Sequence, residues 1–384
     1  MNDNKVPILR LPSGVPGLDP LLGGGLAEYS FNIIAGEPGS GKTTLAHQMM
    51  FAMASPERQA LFFTVLGEPA LKMLRYQQQY SFFDFAKVSK SIRFINLSDL
   101  VLEKDLGGVL DAIMKEVQAS KAAFVVVDSF RTVVRKASAA NGANAEVELQ
   151  GFVQRLALFL SSWQATTFLI GEYTEGELRD NPLFTVCDGL FWLTQNTERN
   201  SVVRKLQIMK LRGQSSVPGL HTIRLTDDGM QAFSRTLGMT GKAMRAKGRR
   251  RLAIGIPELD EMLGGGILEG DSVLVSGPSG TGKSALATHF LAEGLLRGEP
   301  GIAAIFEERP SGYLSRAANF GLDLAAGVKA GTLELLYLRP LDLSVDEMMQ
   351  GILDAVERLK AKRVIIDSLV AFEMAPEPGF REDF

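Results

Sequence analysis

The chain alternates short, mostly apolar runs with longer stretches whose apolar positions recur every three or four residues. Phe31–Ala35, Ala60–Val65, Phe124–Val127 and Ala165–Gly171 lack polar alternation, the pattern of strands buried on both faces of a parallel sheet. Ile92–Leu97 is a short third run between Ala60–Val65 and Phe124–Val127. Gly107–Ser120 carries Val109, Leu110, Ile113, Met114 and Val117, and Glu146–Ser162 carries Leu149, Phe152, Val153, Leu156, Phe159 and Leu160. Both spacings predict helices with one apolar face. Further strands are predicted over Gly189–Thr194, Ser201–Leu211 and Thr222–Thr226. Strands and helices in this alternation predict an α/β fold built on a doubly wound, mostly parallel sheet.

The pattern then repeats. Gly14, Pro16, Leu18, Asp19, Leu22, Glu28, Gly36 and Lys42 return 241 positions later as Gly255, Pro257, Leu259, Asp260, Leu263, Glu269, Gly277 and Lys283. Gly23-Gly24-Gly25 returns as Gly264-Gly265-Gly266, and Phe124–Ser129 is echoed by Arg363–Ser368 at an offset of 239. An ungapped match of this length indicates tandem duplication rather than convergent loops. The division expected is a first domain over 1–238, a basic linker over 239–251 and a second domain over 252–384. In the second copy, strands are expected at Ser272–Ser276 and Ile302–Phe306, with a helix over Ala285–Leu296. The first copy runs on past Asp128 to about Phe233, whereas little follows Asp367. The apolar run Ala165–Gly171 of the first copy has no counterpart after Asp367. The expectation is a fragment whose second domain is incomplete at its C-terminus.

Each copy carries one glycine-rich loop between a predicted strand and a predicted helix. Gly36-Glu37-Pro38-Gly39-Ser40-Gly41-Lys42-Thr43 and Gly277-Pro278-Ser279-Gly280-Thr281-Gly282-Lys283-Ser284 both fit G-x-x-x-x-G-K-[S/T]. In such a loop, backbone N–H groups cradle phosphate, the lysine reaches the β- and γ-phosphates, and the Thr or Ser hydroxyl ligates Mg²⁺. Gly36, Gly39, Ser40, Gly41, Lys42, Thr43 and Thr44 are therefore candidate ATP contacts, as are Gly277, Gly280, Thr281, Gly282, Lys283, Ser284 and Ala285. Thr43 and Ser284 are the candidate direct ligands of Mg²⁺. Asp128 and Asp367, each closing an apolar strand, would hold it through water.

A carboxylate that orients or deprotonates the attacking water is also needed. In the second copy the Ile302–Phe306 strand leads into Glu307-Glu308, the candidate catalytic pair. At the repeat offset the first copy has Leu66-Gly67, and Glu68 is shifted by one residue, which on an extended chain turns it to the opposite side. The first site is thus expected to bind ATP and hydrolyse it slowly, with a water held by Glu68 left open.

Composition narrows the setting. Apolar residues make up 46% and charged ones 22% of the 384 residues, values of a globular protein with substantial cores. A net charge of −3 gives no electrostatic case for nucleic acid or an anionic membrane. The single cysteine, Cys187, excludes an internal disulfide, reads as a buried apolar residue, and agrees with a reducing compartment. With no signal pattern at Met1–Lys5 and no apolar run of spanning length, a cytoplasmic location is expected. His47, His221 and His289 have no metal-ligand spacing. The Met239–Arg251 run reads as a solvated connector and the Arg131–Asn144 loop as a mobile solvent loop. Phe82, Phe83 and Trp163 read as core.

Taken together, these motifs resemble the KaiC family of tandem RecA-like ATPases. The residues that carry the resemblance are Gly14–Asp19 with Leu22–Gly25, their copies Gly255–Asp260 and Leu263–Gly266, the Phe306-Glu307-Glu308 sequence, and Lys210-Leu211-Arg212-Gly213. The resemblance implies a RecA-like P-loop fold, Mg-ATP as cofactor and a homo-oligomeric, hexameric ring with ATP clamped between subunits. It also implies that Lys210, Leu211 and Arg212, with Thr226 and Asp227, reach the nucleotide of the neighbouring subunit, in the manner of an arginine finger. Without it, Lys210 and Arg212 read as ordinary strand-edge charge. The chain departs from the family pattern at Leu66-Gly67 and at Tyr173, where an arginine is expected. The family's Ser/Thr autokinase activity is an expectation for a longer form only. The function expected is an ATP-binding signalling ATPase. The alternatives are a DNA-dependent ATPase of the RadA/RecA kind, with which the opening motif is shared, and a protein that uses nucleotide only to hold its subunits together.

Overall fold

A computed structural model describes residues 8–65, 70–103, 106–131, 145–178, 183–198, 201–234, 250–339 and 343–370. The chain divides into two compact units. One comprises Met1–Thr197 and Val202–Arg235, and the other comprises Glu198–Ser201 and Thr236–Phe384.

The first unit opens with a short antiparallel pair, β1 (Arg10–Leu11) and β2 (Leu26–Ala27). It is then organised around β3 (Phe31–Gly36), β4 (Ala60–Thr64), β5 (Ile92–Asn96), β6 (Phe124–Asp128), β7 (Thr166–Glu172), β8 (Gly189–Glu198), β9 (Ser201–Leu211), β10 (Leu220–Thr226) and β11 (Gly229–Phe233). Among the described residues these form one sheet in the order β11-β10-β9-β8-β3-β7-β6-β4-β5. From β8 to β5 every pairing is parallel, while β10 is antiparallel to both β9 and β11. β7, late in the sequence, is inserted between the two strands that the glycine loop and Asp128 terminate. This is the mostly parallel, doubly wound sheet expected.

Strand side chains alternate between faces, and each face has its own core. Ile34, Phe62, Val126, Phe168, Ile170 and Phe191 pack with Leu45, Met49 and Met50 of the helix Lys42–Met53. Ile33, Phe63, Val127, Leu169 and Trp192 pack with Ile113 and Val117 of the helix Leu106–Ser120 and with Phe152 and Leu156 of the helix Ala145–Ser162. The helix Lys42–Met53 is buried nearly all round because β11 covers its other side. Gln48 accepts from Met230 N–H at 2.7 Å and donates to the Met230 carbonyl at 3.1 Å. Cys187 is fully buried, and burial pushes its thiol up to about 11. Phe82 and Phe83 pack against the core, but Trp163 is 42% exposed and is not a core residue. It sits in the turn after the helix Ala145–Ser162, its ring tilted against that of Phe159 with centroids 6.1 Å apart.

The second unit repeats part of this plan. β12 (Arg251–Leu252) pairs with β13 (Ile267–Leu268), as β1 does with β2. β14 (Gly301–Ile305) lies between β15 (Leu333–Tyr337) and β16 (Arg363–Asp367), all parallel. That arrangement reproduces β4 between β5 and β6, down to Gly301 opposite Leu333 and Arg363 where Ala60 opposes Ile92 and Phe124. Ser272–Ser276 departs from expectation, since these residues join no strand pairing among the described residues. Val273, Leu274 and Val275 are 58%, 74% and 42% exposed. In the first unit the corresponding β3 is gripped by β7 and β8, and the second-unit strands β14, β15 and β16 are the counterparts of β4, β5 and β6 only. Among the described residues no helix is long and apolar enough to cross a membrane.

Phe168 is central to the first unit, with ring centroids 5.6 Å from Phe124 and 5.7 Å from Phe191. Phe168→Ala should lower the unfolding free energy of this unit by about 3–5 kcal/mol, measured by denaturant titration. A loss below about 1 kcal/mol would contradict the packing described.

Candidate functional site

The first glycine loop begins where β3 ends. Gly36 has φ 138°, and a Cβ there would sit 1.8 Å from the Leu193 carbonyl oxygen of β8, so the close strand pairing itself demands glycine. The loop curls on the Glu37 carbonyl, which accepts from Ser40 Oγ at 2.8 Å and Lys42 Nζ at 2.5 Å. Gly41, at φ 99°, then opens the helix Lys42–Met53, whose first N–H groups have no partner within the helix and form an anion site. Thr44 is buried in its first turn. Arg204 of β9 reaches the Gly39 carbonyl at 3.4 Å, a contact no sequence motif signals.

Strand parity sets the chemistry beneath this loop. Thr64, Asp128 and Glu172 end β4, β6 and β7 at positions two beyond Phe62, Val126 and Ile170. They therefore face the same side as the helix Lys42–Met53. Thr43 Oγ1 donates to Asp128 Oδ2 at 2.6 Å, joining the two candidate metal ligands as the motifs imply. Burial holds the Lys42 ammonium below its ordinary pKa, and the charges of Glu172, Asp128 and Glu37, in that order, oppose the shift. Leu66, Gly67 and Glu68, on which the reading of slow hydrolysis depends, lie outside the described residues. So do 132–144 and 239–249.

One turn into that helix, His47 is fully buried and stacked on Phe62 at 4.3 Å, with Nδ1 2.9 Å from the Thr43 carbonyl oxygen. Burial pushes its pKa down to about 3. At the repeat offset stands Thr288, whose Oγ1 donates to the Ser284 carbonyl at 2.7 Å and meets Tyr313 Oη at 3.1 Å. Two different side chains thus tether the same carbonyl, that of the candidate Mg²⁺ ligand. The sequence alone does not single out His47, because its role lies in the packing of one helix turn.

In the second copy Thr281 Oγ1 donates to the Pro278 carbonyl at 2.9 Å, and Lys283 Nζ donates to the carbonyls of Gly277 and Pro278 at 2.8 and 2.7 Å. Gly277, Thr281, Gly282, Lys283 and Ala285 line an open cleft of about 590 Å³. Gly280, at φ 82°, turns the loop as Gly39 does in the first copy. No hydrogen bond joins Ser284 to Asp367 among the described residues. Arg316, on the helix Pro310–Asn319, instead lies 2.8 Å from Glu308 and 3.8 Å from Asp367, with its guanidinium over the Tyr313 ring. Arg316 thus brings one candidate catalytic carboxylate to the candidate metal-binding one, while Glu307 points to solvent. Which polar residue of that helix faces the strand ends is a matter of packing, and no motif announces it.

Lys210, Leu211 and Arg212 lie at the far end of the sheet from their own loop. Arg212 N–H donates to the Asp188 carbonyl at 2.9 Å, and Asp188 N–H donates to that of Phe31, at the opposite end of β3 from Gly36. Five residues of strand put them roughly 16 Å away. There Lys210 Nζ donates to the Phe184 and Thr185 carbonyls, Arg212 lies 3.4 Å from Asp188, and Leu211 packs against the core. Thr226 and Asp227 are not with them. With Leu220 opposite Gln207 and Ile223 opposite Arg204, β10 carries Thr226 toward the start of β9. Asp227 forms the turn into β11, where its carbonyl accepts from Ser81 N–H. Tyr173, which stands where the resemblance calls for arginine, is buried, and Arg131 lies 5.1 Å over its ring.

A family model described as "ATPase: KaiC" matches residues 11–236 and again 252–384. The circadian clock oscillator protein KaiC of Rippkaea orientalis is 28% identical over 374 residues, covering 95% of this chain and 70% of that protein. KaiC of a Picosynechococcus species is 27% identical over 371 residues, covering 95% and 71%. KaiC 1 of a Synechocystis species is 28% identical over 377 residues, covering 95% and 70%.

The state of His47 gives a pH test. The folded site accepts only neutral imidazole down to about pH 3, whereas the unfolded side chain takes up a proton near pH 6.5. The unfolded state therefore binds more protons between these values, and stability is full above pH 6.5 and falls as pH drops. His47→Asn keeps a nitrogen for the Thr43 carbonyl without the titration. The loss of unfolding free energy between pH 7.5 and 5 should be about 2 kcal/mol smaller in this variant. Parallel profiles would contradict the assignment.

Proposed function

Because the chain belongs to the KaiC ATPase family, we propose that it binds Mg-ATP at Gly36–Thr43 and at Gly277–Ser284 and hydrolyses it, in a ring of identical subunits. The two ATPase domains would span 1–238 and 252–384, joined by 239–251. The observation that carries the reading is the 2.6 Å hydrogen bond from Thr43 to Asp128 directly beneath the Lys42 loop. A hydroxyl and a carboxylate oxygen are the hard donors that Mg²⁺ takes, with water and phosphate filling the remaining positions. Thr43 and Asp128 fit, Thr43 as the direct ligand and Asp128 behind it, and Ser284 and Asp367 would take the same roles at the second loop. Bound there, Mg²⁺ would neutralise phosphate charge.

The chain's own residues do the rest. Lys42 exchanges its hold on the Glu37 carbonyl for phosphate oxygens, and the N–H groups at the start of its helix add to the same anion site. Lys210 and Arg212 are too far along the sheet to serve their own loop, which supports a role at a neighbouring subunit's nucleotide, six subunits closing the ring. At the second loop Glu307 and Glu308 would handle the attacking water, with Arg316 holding Glu308 against Asp367 between turnovers.

ATP titration with and without Mg²⁺ tests this reading. The wild type should bind ATP in a Mg²⁺-dependent way, and Lys210→Ala with Arg212→Ala should weaken binding at least roughly tenfold, as loss of charge-assisted hydrogen bonds does. Mixing that variant with Lys42→Ala subunits should restore tight sites, each made of one intact loop and one intact cation pair. Wild-type affinity in the double variant, or no recovery on mixing, would contradict completion by a neighbour. Failure of the wild type to bind ATP would overturn the function.

A further inference from the structure

At positions 66 and 67 the first site has Leu and Gly where the second has Glu307 and Glu308, yet one carboxylate stands at its centre. Glu172 ends β7, the strand between β3 and β6, and its register partner is Gly36, where the loop begins. Asp128 pairs two residues earlier on the same strand, with Ile170. Period-two alternation puts Glu172 on the face of Phe168 and Ile170, toward the helix that Lys42 opens. Of the carboxylates whose charge reaches the buried Lys42, Glu172 acts most strongly.

Its backbone is fixed on both sides. The Glu172 carbonyl accepts from Nη1 of Arg131, whose Nη2 donates to Glu177 at 2.9 Å, and the next N–H, of Tyr173, donates to the Gly36 carbonyl at 3.3 Å. The side chain is exposed, and among the described residues its carboxylate makes no hydrogen bond or ion pair. Asp128 is engaged by Thr43. Glu172 is thus held at the loop with its carboxylate open to water.

We infer that Glu172 is the catalytic carboxylate of the first site, orienting the water that attacks ATP and taking its proton. In that step the water oxygen bonds to the γ-phosphorus. The bond from the γ-phosphorus to the β–γ bridging oxygen breaks, and its electron pair leaves on ADP. The proton passes to Glu172 and is then released to phosphate or solvent. The inference rests on the reading of Gly36–Thr43 as an ATP site.

The test uses the full 384-residue chain carrying Lys283→Ala, so that only the first loop is read, with equilibrium ATP affinity and single-turnover hydrolysis measured side by side. Glu172→Gln should keep ATP affinity within about threefold and slow hydrolysis at least roughly 100-fold, the scale of a lost general base. Glu68→Gln should leave the rate unchanged. An undiminished rate in Glu172→Gln overturns the proposal, as does a large loss in Glu68→Gln alone. Weaker affinity with an unchanged rate of bound ATP would make Glu172 a charge partner of Lys42, and binding without turnover in the parent also overturns it. If the parent binds no ATP, the ATP-site reading itself fails, which the affinity measurement distinguishes.

Discussion

Everything at the first phosphate loop depends on β7 lying between β3 and β6. Parallel pairing on both sides brings Gly36, Asp128 and Glu172 to one end of the sheet, and strand parity turns them toward one helix. Phe168 and Ile170, on that same face of β7, hold the insertion in place with aromatic and aliphatic contacts. A one-residue slip of β7 would send its whole apolar set to the wrong face. Packing of the core and placement of the carboxylates are therefore a single constraint.

The same constraint separates the two copies. The second unit reproduces the pairing of β4, β5 and β6 residue for residue in β14, β15 and β16, and Thr281 and Lys283 bond the Pro278 carbonyl as Ser40 and Lys42 bond that of Glu37. Yet Val273, Leu274 and Val275 lie exposed where β3 is buried, and Ser284 and Asp367 are not joined as Thr43 and Asp128 are. Carboxylates near the second loop are held by Arg316. The copies share a local design and differ in what the sheet does around it.

Much of this was legible in the chain. Runs dominated by apolar residues located β3, β4, β6 and β7, and a more mixed run located the edge strand β5, to within a residue or so at each end, because strands inside a parallel sheet are covered on both faces and are mostly apolar. The duplication and both loops were explicit in fixed spacings. What could not be read was what packing alone decides. Ser272–Ser276 has a strand's composition, but composition does not supply a partner. Trp163 is apolar yet lies beyond the end of its helix. Arg316, Arg204 and His47 act through where a helix face or strand start happens to point. Thr226 and Asp227, grouped with Lys210 by resemblance, part from it because β10 runs antiparallel to β9.

The central claim is that the β3–β7–β6 arrangement makes Gly36–Thr43 the well-formed nucleotide site of this chain. Equilibrium dialysis of ATP against Lys42→Ala and Lys283→Ala tests it most directly. The account predicts that Lys283→Ala retains the tightest wild-type binding, while Lys42→Ala weakens it at least roughly tenfold, as removal of a charged hydrogen-bond donor to phosphate does. Tight binding that survives Lys42→Ala and disappears in Lys283→Ala would contradict it.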